Sequence, residues 1–128
     1  MIRDPAFALQ KAIYMAIVAT GAVQDRVYSE VPHNSVKPYA QIGDDFVMSN
    51  REAGEFHDAT AVVNIVGSSK REVKAIAGKV RAALEAEIEI EGFSVHEFEM
   101  SSANYRLDND GLTAQATLEI DYLIQTAE

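Results

Sequence analysis

The residues whose types could do chemistry are few, and their spacing decides what they are. The stretch "KPYAQIGDD", residues 37 to 45, closes on Asp44 and Asp45, and adjacent carboxylates are common in catalysis and metal binding. Neighbours in an extended segment point to opposite faces, so this pair does not converge on one metal or substrate. A turn or a solvated strand end is the reading that fits. "DNDG", Asp108 to Gly111, contains part of a calcium loop. The full pattern needs an acidic residue before it and a bidentate glutamate well after the glycine. Arg106 and Thr117 stand in those places, which leaves a hairpin turn. His33, His57 and His96 sit on three separate segments, and no pair has the spacing of metal ligands. There is no glycine-rich phosphate loop, no nucleophile elbow and no dinucleotide fingerprint. The expectation is a protein that is not an enzyme, with no catalytic residue, no metal and no cofactor.

The basic residues are the more informative set. The formal net charge is −9, yet Lys70, Arg71, Lys74, Lys79 and Arg81 place five of the 11 basic residues in one short segment. After Arg81 the only basic residue is Arg106, against 11 acidic ones. A nucleic-acid binder usually carries a basic surface that displaces counterions from phosphates; this chain as a whole does the opposite. The basic segment has two readings. One is a solvated face that offsets the acidic charge. The other is a contact with an acidic patch on an identical neighbour or another protein, because head-to-tail contact between unlike patches generates rings or filaments.

The elements that position these residues follow from composition and period. At 128 residues, with 48% apolar residues and few Gly and Pro, the chain reads as a single globular domain over 1–128. Cysteine is absent, which removes disulfides, thiol nucleophiles and thiolate metal sites together. Lys11 interrupts the apolar N-terminal segment, which is too short and polar to span a bilayer and lacks signal-peptide order. It reads as a soluble helix. Asp4 can cap it, Pro5 suits its first turn, and Gly21 stops it. Ala6, Leu9, Ile13, Ala16, Ile17 and Thr20 share one face. Tyr14, Met15 and Val18 widen the apolar surface, either as a broad core-facing helix or as a subunit contact; the first is expected.

Further along, Arg26 to Val31 reads as a short strand. Pro38 leads a strand over Tyr39 to Ile42, which Gly43 to Asp45 leave. "MSNREAGE", Met48 to Glu55, reads as an exposed loop or hairpin tip. The segment "FHDATAVVNIVGSS" has apolar residues on both parities, the pattern of a central strand covered on both sides. Ser69 and Glu72 have capping-box spacing at the start of a second helix. Val73, Ile76, Ala77, Val80 and Leu84 form its inner stripe, with Arg71, Lys74 and Arg81 opposite. A long hairpin ends the chain. Phe93 to Leu107 is one arm, with a parity change that places a bulge near His96 or Glu97. The other arm alternates cleanly from Leu112 to Ile124. The fold class is α+β: a mostly antiparallel sheet with two packed helices and a long C-terminal β-hairpin.

In this order the segments "RVYSEVP", "PYAQIGDD", "HDATAVVNIVGSS", "KREVKAIAGKVRAAL" and "DNDGLTAQATLEIDYLI" resemble the tail-terminator, or tail-completion, proteins of long-tailed bacteriophages and phage-like gene transfer agents. The resemblance spans nearly the whole chain, and "PYAQIGDD" and "DGLTAQATLEIDYLI" are its most specific pieces. It implies a structural virion protein, assembled in the bacterial host cytoplasm, that forms a homohexameric ring at the head–tail junction. Such a ring caps the tail tube, ends its growth and joins tail to head. Its partners would be the tail-tube protein and a connector or stopper, with DNA passing through the lumen without specific binding and no membrane involved. On that reading the lumen is net acidic, and Arg71, Lys74 and Arg81 meet a neighbouring subunit. Ser49, Asn50, Arg51 and Glu52 form the loop placed against the tail tube. Other readings are a stopper in the neck or a small ligand-binding α+β dimer.

Overall fold

The computed structural model describes residues 5–43, 46–50, 56–86 and 88–126. Along the chain run α1 (Pro5–Thr20), β1 (Val27–Tyr28), β2 (Tyr39–Ile42), β3 (Phe46–Asn50), β4 (Phe56–Gly67), α2 (Lys70–Glu85), β5 (Phe93–Leu107) and β6 (Ala114–Thr126). The strands form one six-stranded sheet in the order β1-β2-β4-β6-β5, with β3 also on β4. All pairs are antiparallel except β1 with β2. This is the expected α+β fold, and its C-terminal strands pair as the expected long hairpin.

Strand β4 organises the sheet. One of its edges pairs with β6 along its whole length, and the other is shared by β2 and β3. Ile42 pairs with Val63 and Phe46 with Thr60, so β2 and β3 run along one edge with one extra residue between them. Strand β2 ends at Ile42 as expected, and the chain rejoins the same edge of β4 at Phe46; Asp44 and Asp45, expected in the exit turn, lie outside the described residues. Met48, Ser49 and Asn50 are likewise strand, not loop, because backbone pairing with β4 recruits a segment with no side-chain period of its own. The short strand expected over Arg26 to Val31 is only two residues, Val27 and Tyr28.

Both helices cover one face of the sheet. Ala59, Ala61, Val63 and Ile65 of β4 are buried with Leu118, Ile120, Tyr122 and Ile124 of β6 against Leu9, Ile13 and Ile17 of α1 and Val73, Ile76, Ala77, Val80 and Leu84 of α2. The stripe expected on α2 is thus the buried one. On α1, Ala12 joins the core, while Phe7, Tyr14 and Met15 are exposed, Phe7 and Met15 at 69% and 59%. That corrects the broad core-facing reading for Tyr14 and Met15, which look outward, while Val18, with Ala8 and Ala16, packs partly buried against the core. The other parity of β4, with Thr60, Val62, Asn64 and Val66, is half-buried and has no helix over it. A strand covered on both sides was expected, because apolar residues on both parities cannot reveal which face the helices choose.

Local chemistry sets the ends. At α2 the Ser69 hydroxyl accepts from the Glu72 amide at 3.1 Å, and the Glu72 carboxylate accepts from the Ser68 amide at 2.8 Å. The reach-back goes one residue further than in a standard capping box. Gly21 stops α1 with φ 72°. The hairpin shifts register between Val95 and Glu97, as the parity of its first arm predicts, and again between Met100 and Ser102, which the sequence does not signal. The second arm begins at Ala114; Leu112 is 71% exposed and belongs to the turn.

That turn is held by one carboxylate. Asp110 Oδ1 accepts from the amides of Leu112 and Thr113 at 2.8 and 3.0 Å, and Oδ2 accepts from the Thr113 hydroxyl at 3.1 Å. The Leu112 amide foremost, then the Thr113 groups and Lys37, hold its pKa below the ordinary aspartate value. A lowered folded-state pKa contributes stability that is complete above the unfolded value and lost as pH falls through the folded one. The stability difference between wild type and Asp110→Ala is therefore expected to be constant above about pH 5 and to narrow toward about pH 2. Urea melts across that range check it, and a pH-independent difference would remove the turn from the acid response. Lys37 Nζ also donates to the Thr113 hydroxyl at 2.9 Å, tying the loop before β2 to the hairpin.

Candidate functional site

The outward side of α2 brings the expected residues together. Arg71, Lys74 and Arg81 are all exposed on the face away from the sheet. Lys74 Nζ lies 5.4 Å from the centroid of the Tyr105 ring, a cation–π contact that steers the ammonium toward β5. Arg81 Nε is 3.9 Å from Glu85 Oε2 one turn on, an exposed pair of small energetic weight. Arg71 has no such contact among the described residues. Between the cations the helix carries Ala75, Gly78 and Ala82, also exposed.

The opposite face of the molecule, the uncovered side of the sheet, is acidic over half its extent. Asp121 accepts from the Thr60 hydroxyl at 2.8 Å, which fixes that face. Glu99 stands directly across from Asp121, Glu97 across from Leu123, Ser102 across from Glu119, and Asp58 across from Leu123 on the other side. The far half is neutral: Asn64 Oδ1 accepts from the Thr117 hydroxyl at 2.9 Å and from Gln115 Nε2 at 3.3 Å. Sequence alternation reveals Glu119 and Asp121 as neighbours on one face. It does not bring Glu97 and Glu99 beside them, because the bulge at His96 reverses the parity of β5.

The remaining candidates stay apart. Ser49 and Asn50 lie on β3 opposite His57 and Phe56, at the end of the β3–β4 ladder; Arg51 and Glu52 lie outside the described residues. His33 is in an exposed loop. His57 packs edge-on to Phe93 at 5.9 Å between centroids, and His96 Nε2 is 2.8 Å from Gln125 Oε1 with its ring against Phe56. Among the described residues no three His, Asp or Glu side chains gather as a metal site requires. An open groove of about 1180 Å³ runs between α1 and the start of β5, lined by Ala8, Ala12, Met15, Val95 and Phe98 among others. Its ionisable groups come from α1 (Lys11), the end of α2 (Glu85), the segment before β5 (Glu89 and Glu91) and β5 itself (His96 and Glu97), and Lys11 pairs with Glu91 at 3.6 Å. Tyr122 is the one described side chain with a buried polar atom lacking a hydrogen-bond partner, and burial pushes its phenol pKa up. It packs edge-on against Phe98 in the core, at 5.5 Å between centroids. No described helix is long and apolar enough to cross a membrane.

These surfaces are suited to contact, with cations on one face and carboxylates on the other. Residues 10–125 match the family model described as tail completion protein gp17. The chain belongs to the tail completion protein gp17 family. The family is one of structural phage-tail proteins, so this tail completion protein is a component of the virion. Its fold is shared by a chain in the virion of a native gene transfer agent particle, with a TM-score of 0.76 at 20% identity over 97% of this chain and 99% of that one. It is shared also by the gp17 protein of bacteriophage SPP1, with a TM-score of 0.62 at 22% identity over 96% of this chain and 91% of that one. No curated protein matches the sequence. The resemblance carried by the order of the sequence motifs is therefore the family relationship.

Proposed function

We propose that this tail completion protein closes into a six-membered ring on the end of the tail tube, stops the tube's growth and joins the tail to the head. The observation that carries the reading is the family match across residues 10–125. The protein performs no chemical step. Its partners are copies of itself, the tail-tube protein below and a connector or stopper protein above, and it works at the head–tail junction after assembly in the host cytoplasm. Arg71, Lys74 and Arg81 serve the contact between subunits. Ser49 and Asn50, at the end of the β3–β4 ladder, with Arg51 and Glu52, meet the tail tube.

Charge supports the passage of DNA through such a ring. Each tight phosphate contact adds sequence-independent affinity and would retard a sliding duplex. A net charge of −9 in every copy keeps the ring from holding the DNA that passes it. Native mass spectrometry and negative-stain images of the purified protein test the reading. Wild type is expected as a hexameric ring, and Lys74→Glu with Arg81→Glu as smaller species. A wild-type chain that stays monomeric at high concentration, even with tail tubes added, would overturn it.

A further inference from the structure

The two broad faces of the molecule are each unpartnered among the described residues, and each carries a feature that a free surface does not call for. On α2 that feature is Gly78. A glycine in mid-helix is costly relative to alanine. Its φ is not in the left-handed region, and a Cβ built on it would meet nothing within 4 Å. Nothing inside the chain requires glycine there. With Ala75 and Ala82 it keeps the outermost ridge of the helix low, between the side chains of Arg71, Lys74 and Arg81.

On the open sheet the feature is the register. Glu99 and Asp121 are directly cross-strand, and like charges so placed oppose pairing. Asp58, Glu97 and Glu119 add to the same half of the face, and no described strand position there is lysine or arginine. Arg106 lies at the far end, donating to Gln115 Oε1 at 2.9 Å. Val62, Val66 and Leu123 are half-buried on the same side, so the face is apolar as well as acidic.

We infer that the basic outer face of α2 of one copy seats on the acidic open face of the sheet of the next copy. The inference rests on the ring reading and names the surface that receives the helix. The low ridge lets the helix backbone come close to the sheet, while the flanking cations meet carboxylates that have no cationic partner among the described residues. The two patches are unlike and lie on opposite sides of the two-layer domain. Such a contact is head-to-tail, the kind that yields rings or filaments and not a two-fold dimer.

Two reversed variants test it. Arg71→Glu with Arg81→Glu reverses the charge of the helix face; Glu97→Lys, Glu99→Lys and Glu119→Lys together leave the sheet face with three lysines against Asp58 and Asp121. The second places a lysine opposite Asp121, so its fold is expected to melt no lower than wild type, and a failure to assemble is not a failure to fold. Each variant alone is expected to lose rings, with an apparent dissociation constant raised at least about tenfold. An equimolar mixture is expected to recover them, because acidic helices find basic sheets and basic helices find acidic sheets alternately around an even-numbered ring. A sheet variant that forms rings as wild type does, or a mixture that recovers none, overturns the contact and leaves the carboxylates to the lumen. A wild-type chain with no ring overturns the ring reading itself, and the contact with it.

Discussion

Leu118→Ala is expected to cost about 2–5 kcal/mol of folding stability, a large share of the roughly 5–15 kcal/mol that a domain of this size possesses. Leu118 is in the middle of β6, 1% exposed, paired with Val63 of β4 on one side and Ala103 of β5 on the other. Helix α2 lies on this strand. Truncation removes three carbons from the place where the sheet meets the helix, and backbone pairs on both sides hold β6 so that it cannot collapse into the space. The cost therefore belongs in the upper part of that range. Urea unfolding should show a lower midpoint with an unchanged slope, since the surface exposed on unfolding hardly alters. A loss under about 1 kcal/mol would mean that the site relaxes freely and that α2 is not seated on β6. Under the proposed ring, assembly provides a second readout, because fewer folded copies at a given concentration mean fewer rings.

The parts of this fold that were legible in the sequence are those fixed by neighbours along the chain. The strand over Tyr39–Ile42 follows from Pro38 before it and Gly43 after it. The inner stripe of α2 follows from a period near 3.6, and the same period puts Arg71, Lys74 and Arg81 outside. The bulge near His96 shows because Phe93 and Val95 share one parity and Phe98 and Met100 the other. What was not legible depends on partners distant in sequence. Met48 to Asn50 read as loop because nothing in their side chains alternates, yet β4 offers them a backbone edge. The outer parity of β4 reads as covered because Val62 and Val66 are apolar; only the packing of both helices on one side reveals an open face. Tyr14 and Met15 on α1 fail for the same reason.

The charged surfaces divide along that line too. One helix face is a local fact, so the cations were found. The acidic face is assembled from β4, β5 and β6 across a register shift, and no single segment shows it. The proposed hexameric ring lies a step further off, since symmetry is a property of surfaces and not of periods. Family membership carries the function where the residues alone stop at surfaces of opposite charge.

Gly67→Val is expected to cost about 2–4 kcal/mol through two coupled losses. Gly67 ends β4, and the chain turns there into the cap of α2. A Cβ on it would fall on the Glu72 carboxylate oxygen that accepts from the Ser68 amide, and would sit 3.0 Å from Val73 Cγ1. The carboxylate is the end of a flexible side chain and can swing away, leaving the Ser68 amide to solvent; that part costs about 1 kcal/mol. Val73 cannot swing, because it is fully buried on the inner stripe of α2. Seating valine therefore shifts the first turn of the helix, at about 1–3 kcal/mol for overpacking. The two parts separate in a double-mutant cycle with Glu72→Ala. In that background Gly67→Val should cost less by about the capping contribution, since the bond it displaces is already gone. Full additivity of the two changes would mean that the Glu72 carboxylate does not occupy the space over Gly67, and that the join between β4 and α2 is built differently.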